Sequence, residues 1–172
     1  TLSVTAGGVF IPWPVQAWCD VPGVAVACAK EAGKLTITIA PEVPPGPCWI
    51  RLFNSEGASE ARRFLVGTLP EILEQEPNDD FKKPQAAPES ATINGKLEKP
   101  GDVDCFAVKL AKGQTLVASA AAHQVLRSPM DGVLQILSPD GFVLEQNDDF
   151  YGFDPHLVYQ APRDGVYVVR LF

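Results

Sequence analysis

Short runs of Val, Ile, Leu, Thr and Phe alternate along the chain with residues that favour turns. The run from Leu35 to Ala40, LTITIA, places apolar residues at every second position, which is the pattern of a half-buried strand. Residues 48–53, 116–120 and 133–137 form further runs of this kind. Pro-Gly, Asp-Gly and Lys-Gly pairs separate many of the runs at intervals of about 8 to 14 residues, the spacing of a β-sandwich. The pattern predicts an all-β protein without long helices.

A boundary between two domains is predicted near residues 68–80. Residues 64–66 resemble a closing strand, and the acidic stretch after them is interrupted by prolines, as linkers often are. Residues 69–76 have the composition of a helical turn, although proline bounds them on both sides. We therefore predict two β-sandwich domains, residues 1–70 and residues 71–172. The chain starts without methionine and ends inside a strand-like run, so we expect a fragment whose second domain is truncated at its C-terminal end.

The charge balance excludes some partners and favours others. The 172 residues include 14 basic and 21 acidic side chains, which gives a net charge of -7. This balance argues against nucleic-acid binding and against an anionic membrane surface. Because no apolar stretch reaches the roughly 18 to 20 residues that a spanning helix needs, we expect no membrane insertion. An acidic surface is suited to divalent cations.

The four cysteines are Cys19, Cys28, Cys48 and Cys105, and none forms a C-x-x-C pair. That spacing disfavours a zinc ribbon or a thioredoxin-like site. Within the first half, a Cys19–Cys28 disulfide is the first expectation and a Cys28–Cys48 disulfide the second. The alternative is that all four are buried free thiols that act as small hydrophobic residues.

An ordered series of short motifs runs through the second half of the chain. The motifs are Glu74-Gln75-Glu76-Pro77-Asn78-Asp79, Asn94-Gly95-Lys96-Leu97, Gly101-Asp102-Val103-Asp104-Cys105-Phe106, Lys112-Gly113-Gln114-Thr115-Leu116, Ser138-Pro139-Asp140-Gly141, Gln146-Asn147-Asp148-Asp149 and Asp164-Gly165-Val166-Tyr167-Val168-Val169-Arg170. Together they closely resemble the bacterial pre-peptidase C-terminal domain over roughly residues 74–172. One departure is Cys105, which stands where the family usually has an aromatic residue.

The resemblance implies a β-sandwich related to the collagen-binding domains of clostridial collagenases. Residues 45–51, 54–59 and 64–76 are similar to the immunoglobulin-like segments that precede such domains in planctomycete-type surface proteins. The two resemblances together imply an immunoglobulin-like sandwich followed by a jelly-roll-like one. They also imply a secreted or cell-surface location, with other domains of the same polypeptide as partners.

Two acidic segments of the second half form a candidate calcium site. Calcium prefers six to eight oxygen ligands. Glu74, Glu76 and Asn78 alternate, so in an extended segment they share one face, and Asp79 adds an oxygen beside them. Asp102 and Asp104 alternate at the start of a predicted strand. If the two segments meet, these six residues would converge: Glu74, Glu76, Asn78, Asp79, Asp102 and Asp104.

The resemblance supports the same site, because calcium-binding members of the collagen-binding branch use acidic residues of this N-terminal stretch and of a later acidic turn. The alternative is a solvated acidic linker followed by an ordinary turn that Asp102 caps. Residues 147–149 and Asp154 form a second acidic cluster, which does not match the EF-hand spacing. We expect these residues to serve in turns.

Catalytic motifs are lacking, and we expect the chain not to be an enzyme. Its two histidines, His123 and His156, accompany neither a G-x-S-x-G elbow nor an H-E-x-x-H helix. Phe150, Tyr151 and Phe153 form an aromatic loop that could face a ligand, and the alternative is packing against a neighbouring domain.

The sequence therefore predicts a non-catalytic accessory or binding module of a larger protein. The first alternative is a carbohydrate- or protein-binding domain proper, with an extracellular protein or polysaccharide as its partner. The second alternative is a hydrolase fragment.

Overall fold

The structure is a computed structural model that describes residues 1–172. Strands account for 45% of the residues and helix for 2%, which confirms the predicted all-β class. The chain divides into two compact units, Thr1–Thr68 and Leu69–Phe172. We call them unit 1 and unit 2, and their division lies beside the predicted boundary.

Unit 1 contains seven strands. They are β1 (Leu2–Thr5), β2 (Gln16–Cys19), β3 (Val24–Cys28), β4 (Lys34–Ile39), β5 (Gly46–Asn54), β6 (Gly57–Ala58) and β7 (Arg62–Val66). One sheet has the order β1-β4-β3 and is antiparallel. The other sheet is built around β5, which pairs antiparallel with β2, β6 and β7.

The core of unit 1 lies between these two sheets. Val24 and Ile37 come from the first sheet, and Cys48 and Val66 come from the second. The alternation predicted for the LTITIA run explains the contribution of β4, because Ile37 is buried whereas Thr38 is exposed. Apolar side chains on one face of each sheet thus produce a sandwich.

Unit 2 contains nine strands and one helical turn. They are β8 (Glu71–Leu73), β9 (Gln85–Ala86), β10 (Thr92–Asn94), β11 (Asp104–Leu110), β12 (Thr115–Ser119), α1 (His123–Leu126), β13 (Leu134–Leu137), β14 (Val143–Asn147), β15 (His156–Gln160) and β16 (Gly165–Leu171). A five-stranded sheet has the order β14-β13-β16-β11-β9, while β12 pairs with β15 and β10 pairs with β8.

The five-stranded sheet of unit 2 is covered on both faces. On one face, Ile136 and Tyr167 pack with Leu157 of the β12–β15 pair. On the other face, Cys105 packs with Val168 and other apolar side chains. Cys105 is therefore a fully buried core residue.

The segment with the composition of a helical turn is instead extended. Glu71–Leu73 forms β8 and pairs in parallel with Thr92–Asn94. The single helical turn lies at His123–Leu126. No helix in the structure is both long enough and apolar enough to cross a membrane.

Candidate metal centre

The acidic segment at the start of unit 2 runs beside the first residues of β11. Its beginning is fixed by the backbone N–H of Glu74, which donates to the Asn94 carbonyl at 2.9 Å. Its end is fixed by the Cys105 N–H, which donates to the Asn78 carbonyl at 3.1 Å. These two hydrogen bonds bring residues 74–78 alongside Asp104, which is the condition that the sequence-based hypothesis of a shared site required.

Three carboxylates converge where the segment meets β11. Oxygen atoms of Glu74, Glu76 and Asp104 all lie within 4.8 Å of one another. Asn78 joins them, because its Nδ2 donates to Glu74 Oε1 at 3.1 Å and its backbone N–H donates to Glu76 Oε2 at 3.0 Å. We refer to Glu74, Glu76, Asn78 and Asp104 as the oxygen cluster.

Two oxygens of this cluster are buried without a hydrogen-bond partner. They are Oδ1 of Asn78 and Oδ1 of Asp104, whose residues are only 1% and 3% exposed. Buried polar atoms are nearly always paired, so an orphaned acceptor calls for an explanation. A bound cation would provide one, because it accepts lone pairs that no protein donor reaches.

The electrostatics of the cluster are unfavourable without a cation. The pKa of Asp104 is raised to about 8. Burial is the largest cause of this rise. A hydrogen-bonding contact with Glu74 and the negative charges of Glu74, Asp102 and Glu76 add to it. Carboxylates that lie close together repel one another when ionised, so their charged forms are disfavoured. A bound cation offsets this repulsion. Lys96 contributes a nearby ammonium, but its Nζ pairs with Glu98 at 2.7 Å.

Gly95 allows Glu74 to reach the cluster. A Cβ atom at Gly95 would lie 2.5 Å from Glu74 Oε2 and 2.8 Å from its Cδ, closer than packed atoms allow. The next residue then holds the carboxylate, because the Lys96 backbone N–H donates to Glu74 Oε2 at 2.9 Å. The Asn94-Gly95 pair belongs to the motif series, but no pattern in the sequence links Gly95 to Glu74.

Asp102 and Asp79 lie beside the cluster in a different arrangement. Asp102 Oδ2 accepts the Glu98 backbone N–H at 2.5 Å, and Oδ1 lies 3.7 Å from Lys99 Nζ. The Glu98 N–H holds the pKa of Asp102 below its ordinary value, and Asp79 lies close to Asp102. This placement favours the four residues of the oxygen cluster as ligands. It gives Asp102 the turn-capping role that the sequence left as an alternative.

The oxygen cluster fits a hard cation. Its donors are carboxylate and amide oxygens, which are the ligands of calcium, and sulfur and imidazole are absent from it. Within the acidic segment Glu76 is exposed and Glu74 is half-buried, whereas Asn78 is buried, as is Asp104.

The aromatic loop lies elsewhere in unit 2. Phe150, Tyr151 and Phe153 are 55%, 57% and 46% exposed. The rings of Phe150 and Tyr151 meet edge to face at 4.7 Å, and Phe153 meets His123 in the same way at 4.8 Å. A shallow groove lies next to Tyr151. The loop thus presents an aromatic surface to solvent.

Asp154 fixes the base of this loop. It is 2% exposed, and its carboxylate accepts the backbone N–H groups of Ala122, His123 and Gln124 at 3.3, 2.6 and 3.0 Å. The hydrogen bonds tie the loop to the start of α1. This arrangement matches the turn role expected for the second acidic cluster.

A serine and a histidine lie side by side near the loop. Ser119 and His156 are directly opposite in the β12–β15 pair, and Ser119 Oγ lies 2.5 Å from His156 Nδ1. No carboxylate contacts the His156 ring, which lies instead against Phe150 and Tyr151. A nucleophilic triad needs a third group that orients the base, so the contact is a cross-strand pair that lacks that group.

Comparisons with protein-family models and with curated protein sequences return no match for this chain.

Proposed function

We propose that the chain is a non-catalytic accessory or binding module of a larger secreted or cell-surface protein, and that structural calcium stabilises its second unit. The observation that carries the proposal is the oxygen cluster, in which three carboxylates converge and in which one oxygen of Asp104 and the amide oxygen of Asn78 are buried without partners. The resemblance of the motif series to the pre-peptidase C-terminal domain points in the same direction. Its expected partners are other domains of the same polypeptide.

Calcium suits the cluster better than magnesium. Magnesium requires near-ideal octahedral geometry and keeps several waters, whereas calcium accepts irregular sets of carboxylate and amide oxygens. Glu74, Glu76 and Asp104 would supply charge, and Asn78 would supply a neutral oxygen. When bound, the ion would neutralise the repulsion among the carboxylates.

The position of the cluster gives the ion a structural role. Glu74, Glu76 and Asn78 belong to the irregular segment that follows β8, and Asp104 begins β11, an inner strand of the five-stranded sheet. A cation bound by residues 74–78 and by Asp104 would fix this segment to the sheet. This role requires no reactive group, which is why we assign the module an accessory function rather than catalysis.

Calcium titration into chelator-treated protein tests the proposal. A ligand that binds only the native state stabilises it by about 2.7 kcal/mol at one hundred times its Kd. For a unit of this size the melting temperature should rise by on the order of 10 °C. Unchanged melting across millimolar calcium would remove the ion from the proposal.

Matched variants locate the effect. Glu76→Gln keeps the shape of the side chain but removes one candidate ligand charge, and it should greatly weaken the calcium response. Glu89→Gln makes the same change at an exposed residue outside the cluster, and it should respond like the wild-type protein. An equal loss in both variants would show that general charge, rather than this site, governs the response.

A carbohydrate- or protein-binding domain proper is the second candidate function. The aromatic loop favours it, because exposed rings at Phe150 and Tyr151 stack well on sugars and on apolar side chains. Binding on a glycan array or in a collagen pulldown should be lost in Tyr151→Ala and retained in Phe142→Ala, which removes another exposed ring. Retained binding in Tyr151→Ala would exclude the loop.

A hydrolase fragment remains the third candidate. Its strongest support is the contact between Ser119 and His156. Hydrolytic turnover by the purified chain that disappears in Ser119→Ala would establish this function and contradict the accessory role.

A further inference from the structure

Two cysteines of unit 1 lie diagonally across neighbouring strands. Cys19 is the last residue of β2 and lies opposite Ile50 of β5. Cys48 precedes Ile50 by two residues, so both cysteine side chains lie on the same face of the sheet. Cys48 is 1% exposed, Cys19 packs against the same core, and their Sγ atoms lie within 4.8 Å of each other.

The other two cysteines are engaged elsewhere. Cys28 lies on β3 in the other sheet, and its Sγ donates to the Val15 carbonyl at 2.9 Å. Cys105 lies in the core of unit 2, and its Sγ donates to the Asp79 carbonyl at 3.7 Å. The geometry therefore favours neither of the two pairings expected from the sequence, both of which involve Cys28.

We propose that Cys19 and Cys48 form a disulfide that joins β2 to β5 when the protein meets a small-molecule disulfide oxidant such as oxidised glutathione. All four cysteines are thiols in the structure. Closure to the S–S distance of about 2.05 Å requires the two Sγ atoms to approach by less than about 3 Å. Rotation about the Cα–Cβ bonds and a small shift at the end of β2 provide that movement.

The exchange proceeds in two balanced steps. The half-buried Cys19 gives up its proton to solvent and attacks one sulfur of oxidised glutathione, which forms a mixed disulfide and releases one glutathione thiolate. Cys48 then loses its proton, attacks the Cys19 sulfur and releases the second glutathione thiolate. Both released thiolates take up a proton, so the two cysteine thiols are oxidised and one glutathione disulfide is reduced.

The order of attack follows from exposure. Burial and the neighbouring Cys19 raise the pKa of Cys48 to about 12, so Cys48 is a poor first nucleophile. Cys19 is the more accessible thiol. Once the mixed disulfide has formed, Cys48 is already beside the sulfur that it attacks.

The crosslink would enclose the strands of the opposite sheet. β3 and β4 lie between Cys19 and Cys48 in the sequence. A disulfide over such a loop restricts the unfolded chain and stabilises the native state. Because β2 and β5 are already paired, the native fold needs little change to accept it.

A soft metal ion is the competing occupant. Asp20 offers a carboxylate oxygen within the same 4.8 Å limit as the two thiols. However, Asp20 Oδ1 already accepts the Trp49 backbone N–H at 2.7 Å and lies 3.9 Å from the Cys19 thiol. The set offers three donors, whereas a structural zinc site has four. The disulfide is therefore the favoured outcome.

Oxidation of the full chain tests the proposal. The reduced protein is incubated with oxidised glutathione, and intact mass spectrometry should show the loss of two hydrogens. Peptide mapping should find Cys19 joined to Cys48. All three tryptophans lie in unit 1, so tryptophan fluorescence should report a melting temperature that is higher by on the order of 10 °C in the oxidised protein.

Two cysteine variants distinguish a Cys19–Cys48 disulfide from one that involves another thiol. Cys19→Ser should abolish the loss of two hydrogens and the shift in melting temperature, and Cys28→Ser should preserve both. Cys19 is preferred to the fully buried Cys48 as the altered residue, because its replacement disturbs the core less.

Several results would overturn the proposal. One is a stable glutathione adduct on Cys19 while Cys48 stays reduced, and another is a crosslink through Cys28. Elemental analysis that finds about one zinc per chain, lost together with Cys19 or Cys48, would assign the pair to a metal instead.

Discussion

Two buried aspartates of unit 2 differ in what surrounds their carboxylates. Asp154 is 2% exposed and accepts three backbone N–H groups, so its charge is matched by donors. Asp104 is 3% exposed, but it faces Glu74 and Glu76 and retains an oxygen without a partner. Burial alone therefore does not identify a metal ligand. The missing donors make Asp104, rather than Asp154, the candidate ligand, because a buried anion must be compensated.

The substitution Asp104→Asn should have opposite effects in the absence and presence of calcium. In chelator it should raise the free energy of unfolding by on the order of 1 kcal/mol, because it removes a carboxyl group whose ionisation is opposed in the folded state by burial and by neighbouring carboxylates. In millimolar calcium it should lose most of the stabilisation seen in the wild-type protein. Urea unfolding under both conditions measures the difference. Destabilisation of equal size with and without calcium would indicate an ordinary structural aspartate.

Gly95→Ala should weaken calcium binding through Glu74. The added Cβ would lie 2.5 Å from Glu74 Oε2, so the side chain must move away from the cluster. We expect at least a tenfold rise in the calcium Kd measured by isothermal titration, equivalent to about 1.4 kcal/mol. Gly165→Ala is the matched control, because its Cβ would meet neighbours at an ordinary 3.5 Å. An unchanged Kd in Gly95→Ala would mean that Glu74 is not a ligand.

At the scale of elements, irregular segments rather than strands create the notable sites of unit 2. Residues 74–78 form no strand, yet two backbone hydrogen bonds hold them beside β11. The aromatic loop is likewise held by Asp154 at the start of α1. In both places strands support an irregular segment, and that segment carries the charged or exposed aromatic side chains.

Asp154→Ala should destabilise unit 2 and loosen the aromatic loop. Three backbone donors would lose their acceptor, and hydrogen bonds to a charged group contribute about 1.5 to 3 kcal/mol each when counted singly. We expect a total loss of about 3 kcal/mol in urea unfolding. Asp149→Ala, an exposed neighbour whose carboxylate makes no hydrogen bond or ion pair, should change stability by less than about 0.5 kcal/mol. Similar small effects in both variants would contradict the anchoring role.

At the scale of the whole molecule, the two units carry separate chemistry and separate optical probes. Unit 1 holds all three tryptophans and the Cys19–Cys48 pair, whereas unit 2 holds all three tyrosines and the oxygen cluster. Each unit also has its own buried core. The two proposals can therefore be followed independently in one sample.

Calcium and oxidation should act on different unfolding transitions. Calcium should shift the transition seen by tyrosine second-derivative absorbance and leave the tryptophan fluorescence transition unchanged. Oxidised glutathione should do the reverse, because the crosslink lies in unit 1. Thermal unfolding recorded with both probes in the four combinations of conditions measures this. A calcium shift seen equally by both probes would contradict a site confined to unit 2.

The sequence by itself determined the class of fold, and it indicated which acidic residues could form an oxygen cluster if their two segments met. Period-two alternation, as in Leu35 to Ile39, marks strands because neighbouring side chains in a strand point to opposite faces. The alternation of acidic residues around Glu76 and around Asp104 likewise indicated two groups of oxygen donors. Both signals are local, and local geometry is what a sequence pattern encodes directly.

The tertiary structure decided which distant residues meet. Only the fold shows that Cys19 lies beside Cys48 rather than Cys28, that Gly95 makes room for Glu74, and that Asp102 caps a turn next to the oxygen cluster. Strand register and the hydrogen bonds between distant segments fix these contacts. Since register depends on how whole strands pair and pack, no short stretch of sequence contains it.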